Sequence, residues 1–176
     1  IENKYEHISV YIEENNGVSS SLNFAATKIS TEYFLQISPD IDFNFNDLKI
    51  FLDLAEKLNN KFAAIGPRFT EVNKKGHKQI DENIEYNSIE SIHGSCMFIN
   101  KKNYNYIGGF DNNFFLFFEE TEYCYRGKKK GYLSYQTNKS LVRSLGRSVD
   151  IKDKEIENKI NDLLIWHFVW STYYFT

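Results

Sequence analysis

Ile107-Gly-Gly-Phe-Asp-Asn-Asn-Phe-Phe-Leu-Phe-Phe-Glu-Glu-Thr-Glu-Tyr-Cys-Tyr-Arg126 is the stretch around which this chain is organised. The pair Gly108-Gly109 predicts a turn that a side chain would obstruct. Phe114, Phe115, Phe117 and Phe118 follow, a run too apolar to be left in water. Two adjacent carboxylates, Glu119 and Glu120, come directly after it. From there a helix is expected to run to Lys130 and stop at Gly131. Carboxylates on the first turn of a helix, beside an apolar wall, suit general-base chemistry. The helix dipole favours their charge while the wall raises their pKa towards neutrality. First-turn acids also occur for structural reasons alone, and residue types by themselves leave both readings open.

Around this centre the composition is that of one globular domain. The chain has 176 residues, 26% charged and 41% hydrophobic, enough for a real core. Aromatics reach 16%, so a bulky core is expected, with some rings free to face a sugar or a partner. A net charge of -3 gives no basis for nucleic-acid binding. The basic run Lys128 to Lys130 falls at a predicted helix end, where cations complement the dipole. Cys96 and Cys124 have no metal spacing and read as reduced thiols of a cytosolic chain. No signal peptide or membrane-spanning run is read. The chain opens on Ile1, which fits a piece of something longer.

Outward from the centre, strands and helices alternate. Ile8 to Ile12 reads as a short strand, Asn15-Asn16-Gly17 as a turn, and Val18 to Ile29 as a helix. Tyr33 to Ile37 is a buried strand, ended by Pro39, with Asp40 and Asp42 at its C-terminal edge. In open α/β sheets that edge is where ligands bind. Asn46 is a plausible N-cap for a helix with Leu48, Phe51, Leu52, Ala55 and Leu58 on one face. Phe62 to Ile65 reads as a strand closed by Gly66-Pro67, and residues 70 to 88 as a polar loop or irregular hairpin. Another strand lies within Ser91 to Ile99, and a further one at Tyr132 to Gln136. A loop is expected over Ser140 to Ser148, holding Arg143, Gly146 and Arg147. Asp153 to Thr176 reads as a helix with a broad apolar face that includes Trp166, His167 and Trp170. This order points to an α/β fold with a mixed, mostly parallel sheet flanked by helices. His7, His77, His93 and His167 show no metal spacing. His93, beside Gly94, falls near the expected ligand position but reads better as a satisfied core histidine, and His167, on an apolar helix face, reads as packing.

These pieces, taken in order, resemble the family 2 glycosyltransferases, especially their rhamnosyltransferase-like branch. The residues that carry the resemblance are Asn16-Gly17, Asn23, Glu32 to Leu35, Ser38-Pro-Asp40, Ile65 to Arg68 and Ile92-His-Gly94. They continue through Ile107 to Asp111 and are strongest over Phe114 to Arg126. The resemblance implies a GT-A, Rossmann-like fold over residues 1–150, incomplete at its N-terminus, with a C-terminal helical segment, 151–176, packed on it. It implies inverting transfer of a sugar from a nucleotide-sugar donor, UDP- or dTDP-linked, to a glycan or lipid-linked acceptor. Surface polysaccharide synthesis at the cytoplasmic side of the membrane, with peripheral membrane association, would follow.

Residue by residue, the resemblance makes Glu120 the base and Glu119 its neighbour that orients the acceptor. Asp40 would hold Mg²⁺ or Mn²⁺, with Ser38 where the family's first metal-motif acid usually lies. Gly17, Asn23, Ser38, Asp40, Gly94 and Arg143 fall in the donor region, and Asp111, Phe118 and Glu119 on the acceptor side. Two departures stand out. Arg143 replaces a histidine, and arginine cannot ligate Mg²⁺ but pairs well with phosphate. The first strand of the family's nucleotide grip is not read before Ile8, so the chain is expected to start partway into the donor domain. A non-catalytic module of the same fold, binding a glycan or a partner chain, is the competing reading.

Overall fold

The computed structural model describes residues 7–70, 84–145 and 151–176. Its centre is β5 (Cys96–Asn100), buried at every position. Alternation along β5 assigns Met97 and Ile99 to one apolar cluster and Cys96 and Phe98 to the other. A strand that is apolar on both sides must be covered on both sides. The chain supplies those covers as helices.

On one face lie α1 (Val18–Thr27), α3 (Lys101–Ile107) and α4 (Glu119–Lys129), which contribute Ala26, Tyr104, Ile107, Tyr123 and Cys124 to the first cluster. On the other lies α2 (Leu48–Lys57), which buries Phe51, Leu54 and Ala55 in the second. Gly127 shows how close the layers come. A Cβ built there would lie 2.6 Å from that of Ala63, so α4 sits on the sheet only because this position has no side chain.

The sheet runs β1 (Tyr33–Ile37), β5, β3 (Phe62–Phe69), β6 (Leu133–Ser144), β2 (Ile41–Asp42), with β4 (Tyr86–Ile89) also paired to β6. The mixed α/β architecture expected from the sequence is present. The strand directions differ from expectation. Among the described residues β3–β6 is the one parallel pair; β1–β5, β3–β5, β4–β6 and β2–β6 are antiparallel. The alternation of strand and helix is a poor guide to direction here, because each strand's direction follows from partners far away in sequence, such as β1 with β5 and β3 with β6.

Several boundaries also move. Ile8 to Ile12 forms no strand, and Ile8 and Ile12 remain exposed. An alternating pattern needs a sheet edge to bury against, and this one has none. The cap of the turn leading into α2 is Asn44, whose side chain accepts from Asn46 N–H, rather than Asn46 itself. Strand β3 continues through Gly66-Pro67, and its register with β6 slips just after Pro67, where a missing N–H is tolerated. Helix α3 was not anticipated, although both its signals are present. Asn100 caps its start by accepting from Asn103 N–H, and Gly108 ends it in the left-handed region. Strand β6 extends to Ser144, so Arg143 belongs to a strand and not to a loop. Gly146, Arg147, Ser148 and His77 lie outside the described residues.

The last element, α5 (Lys154–Phe175), starts at the capping carboxylate of Asp153, which accepts from the N–H groups of Glu155 and Ile156. It buries a narrower stripe than its composition suggested: Trp166 and Trp170 stay largely exposed, whereas Ser171 is buried. Among the described residues no helix is long and apolar enough to cross a membrane.

Candidate active site

Three segments meet at one edge of the sheet. The first is the end of β1. Ser38 N–H donates to the carbonyl of Ser95 at 2.8 Å, so the chain leaving β1 is tied to the loop entering β5. Asp40 follows, its own carbonyl accepting from Leu145 N–H at 2.8 Å. That bond anchors the backbone of Asp40 to the end of β6. Among the described residues its carboxylate has one long contact, to Ser144 Oγ at 3.5 Å. The group is thus positioned by its main chain and left with most of its acceptor capacity open.

The second segment is the loop Ser91–Ser95. The Gln36 amide donates to the Gly94 carbonyl, holding this loop to β1. His93 lies with its ring against Phe69, centroids 4.5 Å apart. Its Nδ1 lies 2.8 Å from Ser95 Oγ and accepts from Ser95 N–H at 3.3 Å. Desolvation lowers the His93 pKa, and the negative charge of Asp40 acts in the opposite sense, so the two side chains are electrostatic neighbours.

The third segment is the start of α4. Phe117 and Phe118 both have φ of 69°, the left-handed region, which bulky residues rarely occupy. That double reversal turns the aromatic run inward and brings the carboxylate pair onto the first helical turn. Glu119 is buried at 9% exposure, and its Oε2 has no hydrogen-bond partner. Glu119 therefore sits within the wall. Glu120 reaches the loop: a Cβ placed on Gly94 would stand 3.5 Å from the carboxyl carbon and Oε2 of Glu120. Burial, and then the charge of Glu119, push the Glu120 pKa up to about 7, against the smaller pull of its own backbone N–H and of Thr121. Burial also raises that of Glu119. Ser38, Asp40, Gly94 and Glu120 are thus linked through one loop.

The other expected site residues are engaged elsewhere. Asn23 uses its amide NH₂ on Phe110 O at 2.8 Å and Asn112 Oδ1 at 2.7 Å; its carbonyl accepts from Phe110 N–H at 2.9 Å and from Tyr104 OH. A fully used amide has nothing left for a ligand. Gly17, at φ 92°, packs against Phe115, where a Cβ would lie 2.6 Å from the backbone; Val18 N–H donates to Phe115 O at 2.8 Å. Asp111 accepts from Asn113 N–H at 2.9 Å and from Tyr174 OH at 3.0 Å. Phe118 packs on Phe168 and Phe175, and Phe115 stacks on His167. Ser171 Oγ donates to Leu116 O at 2.8 Å. Together these contacts form a joint that clamps residues 110–118 between α1 and α5. Arg143 pairs loosely with Asp42, 3.7 Å away, across the β2–β6 ladder. Strand alternation places it on the face opposite Val142 and Ser144.

Sequence reasoning missed two contributors. Arg126 donates from its guanidinium to Ile107 O at 2.9 Å and Gly109 O at 2.6 Å and pairs with Glu122, bracing the glycine turn. Its position four residues after Glu122 was a readable signal. His93 was read as core packing, and the edge it leaves exposed was not foreseen.

For a metal, the donor set is sparse. Among the described residues no three His, Cys, Asp or Glu side chains converge to hold an ion. One open carboxylate, Asp40, fits Mg²⁺ or Mn²⁺ only where phosphate oxygens and water supply most of the ligands, a common arrangement for Mg²⁺.

No family model matches the chain. It is 24% identical over 136 residues to the low-salt glycan biosynthesis hexosyltransferase of Haloferax volcanii, covering 66% of this chain and 43% of that protein. In fold it is similar to a mannosyltransferase from Pyrobaculum calidifontis, solved with GDP-mannose and Mn²⁺, with a TM-score of 0.59 and 12% identity over 75% of this chain and 37% of that one. It is also similar to TarS of S. aureus, with a TM-score of 0.57 and 11% identity over 74% of this chain and 24% of that one. The chain spans less than half the length of each of these proteins. The fold is GT-A-like.

Proposed function

We propose that this chain is the part of a glycosyltransferase of glycan synthesis that carries its base and its metal-holding acid, and that transfer proceeds with inversion. The observation that carries the reading is Glu120. It stands on the first turn of α4, is pushed up to about 7, and touches the loop that is tied to the Ser38–Pro39–Asp40 end of β1. A base whose pKa lies near the working pH combines a useful ionised fraction with real proton affinity.

In this reading Glu120 takes the proton of an acceptor hydroxyl as that oxygen attacks the anomeric carbon. The bond from that carbon to the diphosphate breaks on the opposite face, which inverts the centre. Asp40 would hold a divalent cation, which would supply charge neutralisation at the departing diphosphate. Glu119, within the wall, raises the Glu120 pKa by its charge and orders the approach of the acceptor. The joint residues Gly17, Asn23, Asp111 and Phe118 act indirectly, by fixing the segment from which both acids project. Arg143 has no direct part.

A nucleotide-sugar donor, a glycan or lipid-linked acceptor, the rhamnosyltransferase-like assignment within family 2, and work at the cytoplasmic face of a membrane belong to the same proposal. The mannosyltransferase likeness adds a GDP-linked sugar to the UDP- and dTDP-linked donors to be tried. The test is sugar transfer by the complete reading frame that contains this chain. Glu120→Gln should lose about 10²–10⁴-fold in rate while donor binding persists. Transfer at the wild-type rate would remove Glu120 from its role. Glycan binding without any transfer by the wild type would establish the non-catalytic module instead.

A further inference from the structure

His93 is held like a ligand-binding group, and nothing assigned so far uses it. Phe69 supports one face of its ring. Ser95 fixes the edge, with both its N–H and its hydroxyl at Nδ1. A backbone N–H can only donate, so Nδ1 must present its lone pair, and the proton of a neutral imidazole then resides on Nε2. Ser95 has selected the tautomer. Among the described residues Nε2 has no hydrogen-bond partner, while the ring is partly exposed and Asp40 is its charged neighbour.

That tautomer decides what His93 can do. Metal ligation or proton abstraction by Nε2 would require the other tautomer and the loss of the Ser95 N–H bond. A ring N–H donor near a carboxylate suits an anionic oxygen of a ligand that the carboxylate would help to hold through a cation. We propose that His93 donates its Nε2–H to a diphosphate oxygen of the donor, near Asp40. This rests on the proposed function for the presence of a diphosphate at Asp40, whereas the tautomer follows from Ser95 alone. It also gives a reason for Arg143 to lie elsewhere: the phosphate-facing donor is supplied from the loop before β5 and not from β6.

Calorimetry on the complete reading frame that contains this chain, with Mn²⁺ and with UDP, GDP and inorganic pyrophosphate as probes, tests the assignment. His93→Phe keeps a ring against Phe69 and removes the donor. It should weaken every diphosphate-bearing probe that binds by about 10–100-fold, the range for a hydrogen bond to a charged group. His93→Gln, which restores an N–H at similar reach, should recover part of that loss. Uridine and guanosine, which lack phosphate, should be unaffected. Nitrogen NMR of the free protein should report Nδ1 unprotonated, and Ser95→Ala, which keeps the backbone N–H, should preserve that preference. Equal diphosphate affinity in wild type and His93→Phe would overturn the assignment while leaving the function standing, as would a proton found on Nδ1. If the wild type binds none of the three probes in the presence of Mn²⁺, the function and the assignment fall together.

Discussion

Two polar clusters of this molecule look alike in composition and differ in saturation. The joint contains Asn23, Tyr104, Asp111, Asn113 and Tyr174, and its amides and hydroxyls are spent on one another or on the backbone. The site contains Asp40, His93, Glu119 and Glu120, and its groups are left short. Among the described residues Asp40 has one long contact, Glu119 Oε2 has no partner, and the Glu120 carboxyl has a raised pKa. Unmet hydrogen-bonding capacity inside a fold costs stability, and an unpartnered carboxylate oxygen beside a second buried carboxyl is the costliest instance here. The joint and the two acids Glu119 and Glu120 lie on one continuous segment, residues 110–120, so the saturated cluster holds that half of the unsaturated one in place.

The largest effect expected from this contrast is in the joint. Phe114 is fully buried and packs edge-on against Tyr174. Phe114→Ala should cost about 3–5 kcal/mol in chemical denaturation, as aromatic truncations in cores do. If it proves as mild as a surface change, α5 is not the clamp described.

A smaller effect, of opposite sign, is expected in the site. The Glu120 pKa is raised from its ordinary 4.5 to about 7, so between those values the folded state binds more protons than the unfolded one. Stability due to this group is therefore greatest at low pH and falls as pH rises through that window. Glu120→Gln removes the penalty. The variant should match the wild type near pH 4 and exceed it by on the order of 2–3 kcal/mol near pH 8. A parallel pair of stability curves would show that Glu120 titrates normally.

The smallest change in the free protein is expected at Asp40, whose backbone bond to Leu145 survives side-chain truncation. Asp40→Ala should shift free stability by less than about 0.5 kcal/mol. With Mn²⁺ and a nucleoside diphosphate, the wild type should melt higher than without them, and the variant should not. An equal ligand-induced rise in both would detach the metal from Asp40.

The legible parts of this fold were those written in local chemistry. Tyr33 to Ile37, the helix from Glu119 and the apolar face around Phe51 follow from periodicity and punctuation over a few residues. For the same reason the carboxylate pair could be placed on the first turn of a helix and Asp40 at a sheet edge. Strand direction could not, because pairing β6 with β3, β4 and β2 is settled by partners far away in sequence. Asn23 shows the same limit at the level of one side chain. Its amide is spent on Phe110 and Asn112, and no local pattern distinguishes an asparagine reserved for a ligand from one reserved for a distant turn. Arg143 was misplaced because the Gln136-to-Ser140 stretch is polar enough to read as a strand end, yet it continues to pair.

The bond from Asn23 to Phe110 joins residues 87 positions apart. On a ribosome adding roughly 5–20 residues per second, that separation is a wait of about 4–17 seconds. Throughout it α1 exists without the turn that its asparagine is meant to grip, and Gly17 without the Phe115 backbone it is meant to touch. The first described helix of the chain is thus among the last to be locked. A nascent chain paused before Phe110 would present an α1 without the turn that Asn23 grips, so the timing of translation is part of how this site is assembled.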